Sequence, residues 1–129
     1  MNREIKFRAW DKSENKIRKV RSINFTNKDL WLEIEDNRIM SANFFEVELM
    51  QYTGLKDKND VEIYEGDIVK DSFNNITGEI ISDNGCYWLR SNSKDRFENI
   101  IFKNLGEYVG EVLEVIGNVY QNKDLLEEK

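Results

Sequence analysis

The chain has 129 residues and a formal net charge of −6, long enough for one domain with its own core and unfavourable for non-specific phosphate binding. It has no histidine and one cysteine, Cys86, which excludes His-based triads, the HExxH motif, the usual structural zinc sites and an internal disulfide. No apolar run nears the ~18 residues of a membrane helix, the N-terminus has no apolar signal core, and a single free thiol suits a reducing compartment, so the expected location is cytoplasmic with no membrane contact.

Glu4 to Trp10 alternates, with Ile5, Phe7 and Ala9 on one face and Lys6, Arg8 and Trp10 on the other. This period of two predicts a half-buried strand. Asp11 to Lys16 is a polar turn, and Ile17 to Phe25 the return strand. Thr26 to Asp29 turns again, Leu30 to Glu35 alternates, and Asp36 to Arg38 closes that strand. Ile39 to Tyr52 reads as strand with a break near Ser41–Asn43; in its last part Phe45, Val47 and Leu49 share the core parity. Four or so strands on short turns make an antiparallel meander.

Thr53-Gly54 is expected to end that run, since Gly54 permits positive φ. Lys56 to Asp60 is a polar turn, Val61, Ile63, Ile68 and Val69 suit strands, and Glu65-Gly66-Asp67 is a tight turn between them. After the loop Asp71–Asn75, Thr77–Ser82 and Cys86–Arg90 flank Asn84-Gly85, the strongest short hairpin signal. Phe97, Ile100, Ile101 and Leu105 fall on helical spacing with Ser93 as N-cap and Gly106 as stop, although Ile100–Phe102 also reads as strand. Val109 to Tyr120 is a last strand, with Gly117 marking a bulge or close backbone approach. Asn122 is placed to cap a final helical turn, 123–128. There is no internal repeat or linker. Proline is absent.

The acids Asp57, Asp60, Glu62, Glu65 and Asp67 invite a metal reading. An EF-hand loop begun at Asp57 fails, because its fifth and sixth positions are Val61 and Glu62. A solvated turn balanced by Lys56, Lys58 and Lys70 is the simpler reading. There is no phosphate-binding GxxxxGK[ST] loop or dinucleotide fingerprint, and no cofactor is expected. Without a histidine to activate it, Cys86 reads as a structural thiol. A carboxylate-dependent metal hydrolase stays open only if at least three acids converge.

Residues 1–21 hold eight basic side chains (Arg3, Lys6, Arg8, Lys12, Lys16, Arg18, Lys19, Arg21) against three acids, a local +5 that leaves −11 for the remainder. Two readings follow. The basic hairpin 3–21 contacts nucleic acid, or its cations lie beside acids of neighbouring strands; the overall negative charge favours the second. The aromatics Trp10, Trp31, Tyr52, Tyr64, Tyr87 and Trp88 likewise serve either recognition or packing of a small core. Arg8, Trp10, Arg18, Trp31, Tyr52 and Tyr64 are the candidate interaction surface.

Three segments carry a family resemblance: Lys6-Phe7-Arg8-Ala9-Trp10-Asp11, the central stretch Leu49 to Lys70 (LMQYTGLKDKNDVEIYEGDIVK), and Val115 to Asn122 with Leu125-Leu126. In this order they span nearly the whole chain, and together they resemble the YopX-like family of small phage and prophage proteins of Gram-positive bacteria. Where such proteins usually read proline after the last Asn, this chain has Lys123. The resemblance implies a single domain over 1–129 that is mainly β. Its N-terminal β-meander 1–52 is expected to pack with a barrel-like part 53–129, as a small bent antiparallel sheet or SH3-like barrel-type architecture with one or two short helices. It carries over no activity and no catalytic residue; Gly54, Gly66, Asp67, Gly85 and Gly117 read as turn and bulge residues. The functional expectation is a non-enzymatic module that contacts an unknown protein partner in the bacterial cytoplasm, with homo-oligomers through a sheet edge. Nucleic-acid association is the first alternative and the hydrolase the second.

Overall fold

The computed structural model describes residues 4–94, 100–105 and 112–127. The chain forms two compact units, Met1–Tyr52 and Thr53–Lys129.

In the first unit the alternating segments become antiparallel strands: β1 Phe7–Asp11, β2 Lys16–Asn24, β3 Asp29–Ile34, β4 Arg38–Asn43 and the first part of β5 Val47–Lys56. Their order is β4-β3-β2-β1-β5. Four strands follow one another as a meander, and β5 returns beside β1, with Ala9 opposite Leu49. One face buries Ala9, Leu30, Leu32, Ala42 and Val47, with Val20, Ile23, Met40, Phe44 and Leu49 packed around them. The break expected near Ser41–Asn43 lies just after β4, as a 3-10 turn at Phe44–Glu46.

In the second unit β6 Glu62–Tyr64 lies beside the end of β5, where the Thr53 hydroxyl donates to the Ile63 carbonyl at 2.7 Å. A second sheet runs β10-β9-β8-β7-β11, from β7 Asp67–Asp71, β8 Ile76–Asp83, β9 Cys86–Lys94, β10 Ile100–Asn104 and β11 Leu113–Asn118. Its core is Ile63, Val69, Ile76, Ile80, Leu89, Leu105 and Leu113. The protein is mainly β with antiparallel sheets, and its helix is confined to short 3-10 turns at Phe44–Glu46 and Lys123–Leu126. Among the described residues neither sheet closes into a barrel.

Left-handed backbone is common at the turns. Asn15, Lys28, Asp36, Asn37, Asp60, Asn75 and Asn84 all have φ between 50 and 65°. Proline, locked near −65°, cannot occupy such positions, whereas Asn and Asp tolerate them and bond their own backbone. Turns of this kind leave a chain little use for proline. The Asn84-Gly85 hairpin carries positive φ at both residues, the geometry that matches strand twist.

Four expectations need correction. The helix over 93–106 is not formed in its described part: Ile100–Asn104 is strand, because β9 offers it a ladder partner at Lys94, Arg90, Leu89 and Trp88. The rest of that segment, 95–99 and 106, lies outside the described residues, as do 109–111 of the last strand. Gly54 does not end β5, which runs on to Lys56 with Gly54 at φ 87° inside it. Asn122 does not cap the final turn with its side chain; its Oδ1 accepts the Asn118 N–H instead. Cys86 packs in no core and is exposed at the start of β9.

Candidate interaction surface

Alternation places Trp31 on the face of β3 opposite Leu30 and Leu32, and it is 44% exposed. The other proposed surface residues sit differently. Arg18, Tyr52 and Tyr64 are buried, and Arg8 and Trp10 are half-buried. Tyr52 lies under the Lys6 ammonium, 5.0 Å from its ring centroid, a packing use of both side chains. The six therefore do not make one exposed surface.

Strand register separates the basic residues of the first hairpin. Arg8 stands opposite Lys19, whereas Arg18 stands opposite Ala9 on the other face and Lys16 opposite Asp11. Acids meet most of them: Lys6 pairs with Glu4, Lys12 with Glu48, Lys16 with Glu35 and Arg21 with Glu33. Arg18 is committed inside the fold, with Nε 3.3 Å from Asp11 Oδ2 and Nη1 2.7 Å from Glu35 Oε1. Lys16 and Arg18 together pull the Glu35 carboxyl down to about 2. Burial alone would raise Asp11, but donation from the Ser13 hydroxyl, the Ser13 and Glu14 amides and Arg18 outweighs it and holds the group low. A phosphate backbone needs cations gathered on one face; here Arg8 and Lys19 lie on one face and Lys16 and Arg18 on the other, acids meet Lys6, Lys12, Lys16, Arg18 and Arg21, and Arg3 lies outside the described residues. Near the β3–β4 turn, Arg21, Glu33, Ile34, Asn37 and Arg38 line an open cavity of about 330 Å³, again with an acid among its cations.

The buried carboxylates are occupied by backbone. Asp57 Oδ1 accepts the Asn59 and Val61 amides and Oδ2 the Val115 amide, at 2.8–2.9 Å. Burial would raise its pKa, and these donors lower it below the ordinary range. Asp67 accepts the Tyr64 amide, and Asp71 those of Phe73 and Asn74. Asn118 does the same for Tyr120 and Gln121. Gly117 stands at a register shift between β11 and β7, and a Cβ there would come within 2.5 Å of the Asn122 side chain. These groups hold turns and bulges. Among the described residues, no three His, Cys, Asp or Glu side chains gather to hold a metal, and no helix is long and apolar enough to cross a membrane.

The first unit also exposes large apolar side chains: Ile5 (67%), Phe25 (68%), Trp31, Ile39 (47%) and Phe45 (77%). Trp31 and Ile39 share the outer face, since Trp31 pairs with Ser41 and Glu33 with Ile39. Phe25 meets Phe44 edge to face at 6.1 Å, beside Phe45. Phe25, Ile39 and Phe45 are absent from the expected surface set. Phe45 shares sequence parity with Val47 and Leu49, but the 3-10 turn Phe44–Glu46 breaks the phase. For Ile39 a signal existed: two adjacent apolar residues, Ile39 and Met40, cannot both face the core of one strand.

The crystal structure of protein EF1440 from Enterococcus faecalis resembles this chain with a TM-score of 0.66 and 27% sequence identity, over 98% of this chain and 100% of that one. No curated protein matches it. The family model described as "YopX protein" matches residues 6–127, a span that takes in the Phe7–Asp11 strand, the Asp57 and Asp67 turns and the Gly117 bulge. The chain belongs to the YopX family.

Proposed function

We propose that this protein is a non-enzymatic binding module, encoded by a phage or prophage, that engages another protein in the bacterial cytoplasm. The observation that carries the reading is the exposed apolar set of the first unit, Phe25, Trp31, Ile39 and Phe45. Trp31 and Ile39 share the outer face of the sheet, and exposed aromatics are the usual anchors of protein interfaces. The use of Asp11, Asp57, Asp67 and Asp71 as backbone acceptors supports the non-enzymatic part. The acidic net charge and the paired basic hairpin favour a protein partner over a nucleic acid.

The test is affinity capture from bacteria carrying the phage, comparing the native chain with Phe45→Ser and Trp31→Ser. A partner identified by mass spectrometry is expected to be lost at least tenfold with either variant while circular dichroism stays native. Equal recovery with the variants, or no partner at any salt, overturns the reading.

A further inference from the structure

The sheet ends differ in how they are guarded. Edge strands expose unpaired N–H and C=O groups, and proteins blunt them with charge, shortness, bulges or cover. β11 is covered: Asp57 Oδ2 accepts the Val115 N–H, the Lys58 N–H donates to the Leu113 carbonyl, and the register shifts before Gly117. β10 has a register shift between Ile100 and Phe102. β6 is three residues long.

β4 has none of these devices. Its register with β3 is unbroken over six pairs, from Asp29↔Asn43 to Ile34↔Arg38. Its one charged residue, Arg38, is at its start. Phe44 N–H donates to Lys28 and Arg38 N–H to Glu35, so the even positions face β3. The amides and carbonyls of Ile39, Ser41 and Asn43 therefore point away from the sheet, and Glu46 Oε1 already takes the Asn43 amide. Among the described residues, none pairs with the outward backbone of Ile39 and Ser41, and both residues are exposed.

We propose that the partner of this edge is a second copy of the same chain, joined β4 to β4 in antiparallel pairing about a two-fold axis at Met40. The register follows from the free groups. Opposing Ile39 to Ser41 of the other copy uses both free amides of each chain and leaves Asn43 with Glu46. Met40 then meets Met40, and Arg38 meets Ala42, so no like charges oppose. On the outer face, each Trp31 reaches across the small Ser41 toward the other copy's Ile39, covering apolar surface that one copy leaves exposed. Such an isologous interface closes at two copies. It draws on Trp31 and Ile39, which the function proposed above also uses, but it is read on the purified chain with no other protein present, so its failure and the failure of that reading are distinguishable.

Sedimentation velocity on the purified chain across roughly 1 µM to 1 mM, the range of weak association, is expected to show monomer passing to dimer. Ile39→Lys and Ser41→Pro, the substitutions that protect natural edges, are expected to weaken dimerisation at least tenfold with unchanged circular dichroism. In a Cys86→Ser background, Met40→Cys is expected to cross-link under oxidation. Facing residues at a non-hydrogen-bonded position have Cα atoms about 4.5 Å apart, within disulfide reach. Ser41→Cys, which faces Ile39, is expected not to. A native chain that stays monomeric throughout, a dimer indifferent to both edge variants, or cross-linking at 41 in preference to 40 overturns the proposal.

Discussion

The two units spend their acidic residues differently. In Met1–Tyr52 the buried Asp11 braces its turn through the Ser13 and Glu14 amides and, with Glu35, also holds the buried cation Arg18, while Glu4, Glu33 and Glu48 pair with lysines and an arginine across the surface. In Thr53–Lys129, the buried Asp57, Asp67 and Asp71 accept backbone amides at turns. Both uses satisfy a charge that would otherwise be costly to bury. Both units expose large apolar side chains, but their sheet ends differ: among the described residues β4 of the first has no strand beyond it, while in the second the Asp57 turn that pins β11 also closes its edge. Side chains that brace turns thus decide where a sheet stays available for pairing.

Substitutions in each unit test this difference. The largest effects belong to the two cores. Leu32→Ala and Leu89→Ala, both fully buried, should each cost about 2–5 kcal/mol by urea unfolding. A cost under about 1 kcal/mol at either site would mean that its cluster does not hold that unit. Next come the two kinds of polar brace. Arg18→Met leaves Asp11 buried with its turn donors but no cation, and should cost about 3 kcal/mol. Asp57→Ala strands three amides and should cost about 2–3 kcal/mol, whereas Asp60→Asn, at an exposed carboxylate of the same turn, should stay within about 0.5 kcal/mol. Equal effects of the Asp57 and Asp60 substitutions would remove the special role of Asp57.

The smallest effect is expected from acid. Asp11, Asp57 and Glu35 all have folded-state pKa values below their ordinary ones, with Glu35 at about 2. An unfolded chain therefore binds protons more readily as pH falls. The stability these groups contribute is fully present above the unfolded carboxylate range and is lost progressively from about pH 5 to about pH 2. Urea midpoints should fall through that window and shift little between pH 6 and 8, where the chain has no histidine to titrate. A midpoint unchanged down to pH 3 would show that these carboxylates gain nothing from their partners.

Much of the fold was legible from local pattern. The alternations at Phe7–Asp11 and Asp29–Ile34 and the Asn84-Gly85 hairpin appear where periodicity and turn chemistry put them. The failures share a cause. Ile100–Asn104 has a spacing that suits helix and strand alike, and a partner in β9 selects strand. Gly54 permits a turn without requiring one, and pairing carries β5 past it. The interaction surface was less legible, because the parity of one strand does not tell which faces another layer covers: Tyr52 and Arg18 are buried while Ile39 and Phe45 are exposed.

By itself the order of residues determined a mainly β chain without histidine chemistry or disulfide, turned by Asn, Asp and Gly. These are properties of single residues and neighbours a few positions apart, so they can be read along one dimension. The tertiary structure alone decided that Asp57 would reach Val115, that Arg18 would be neutralised inside the first unit, and that β4 would be the end strand of its sheet. Those outcomes join positions far apart in the chain, and only strand order and register bring them together.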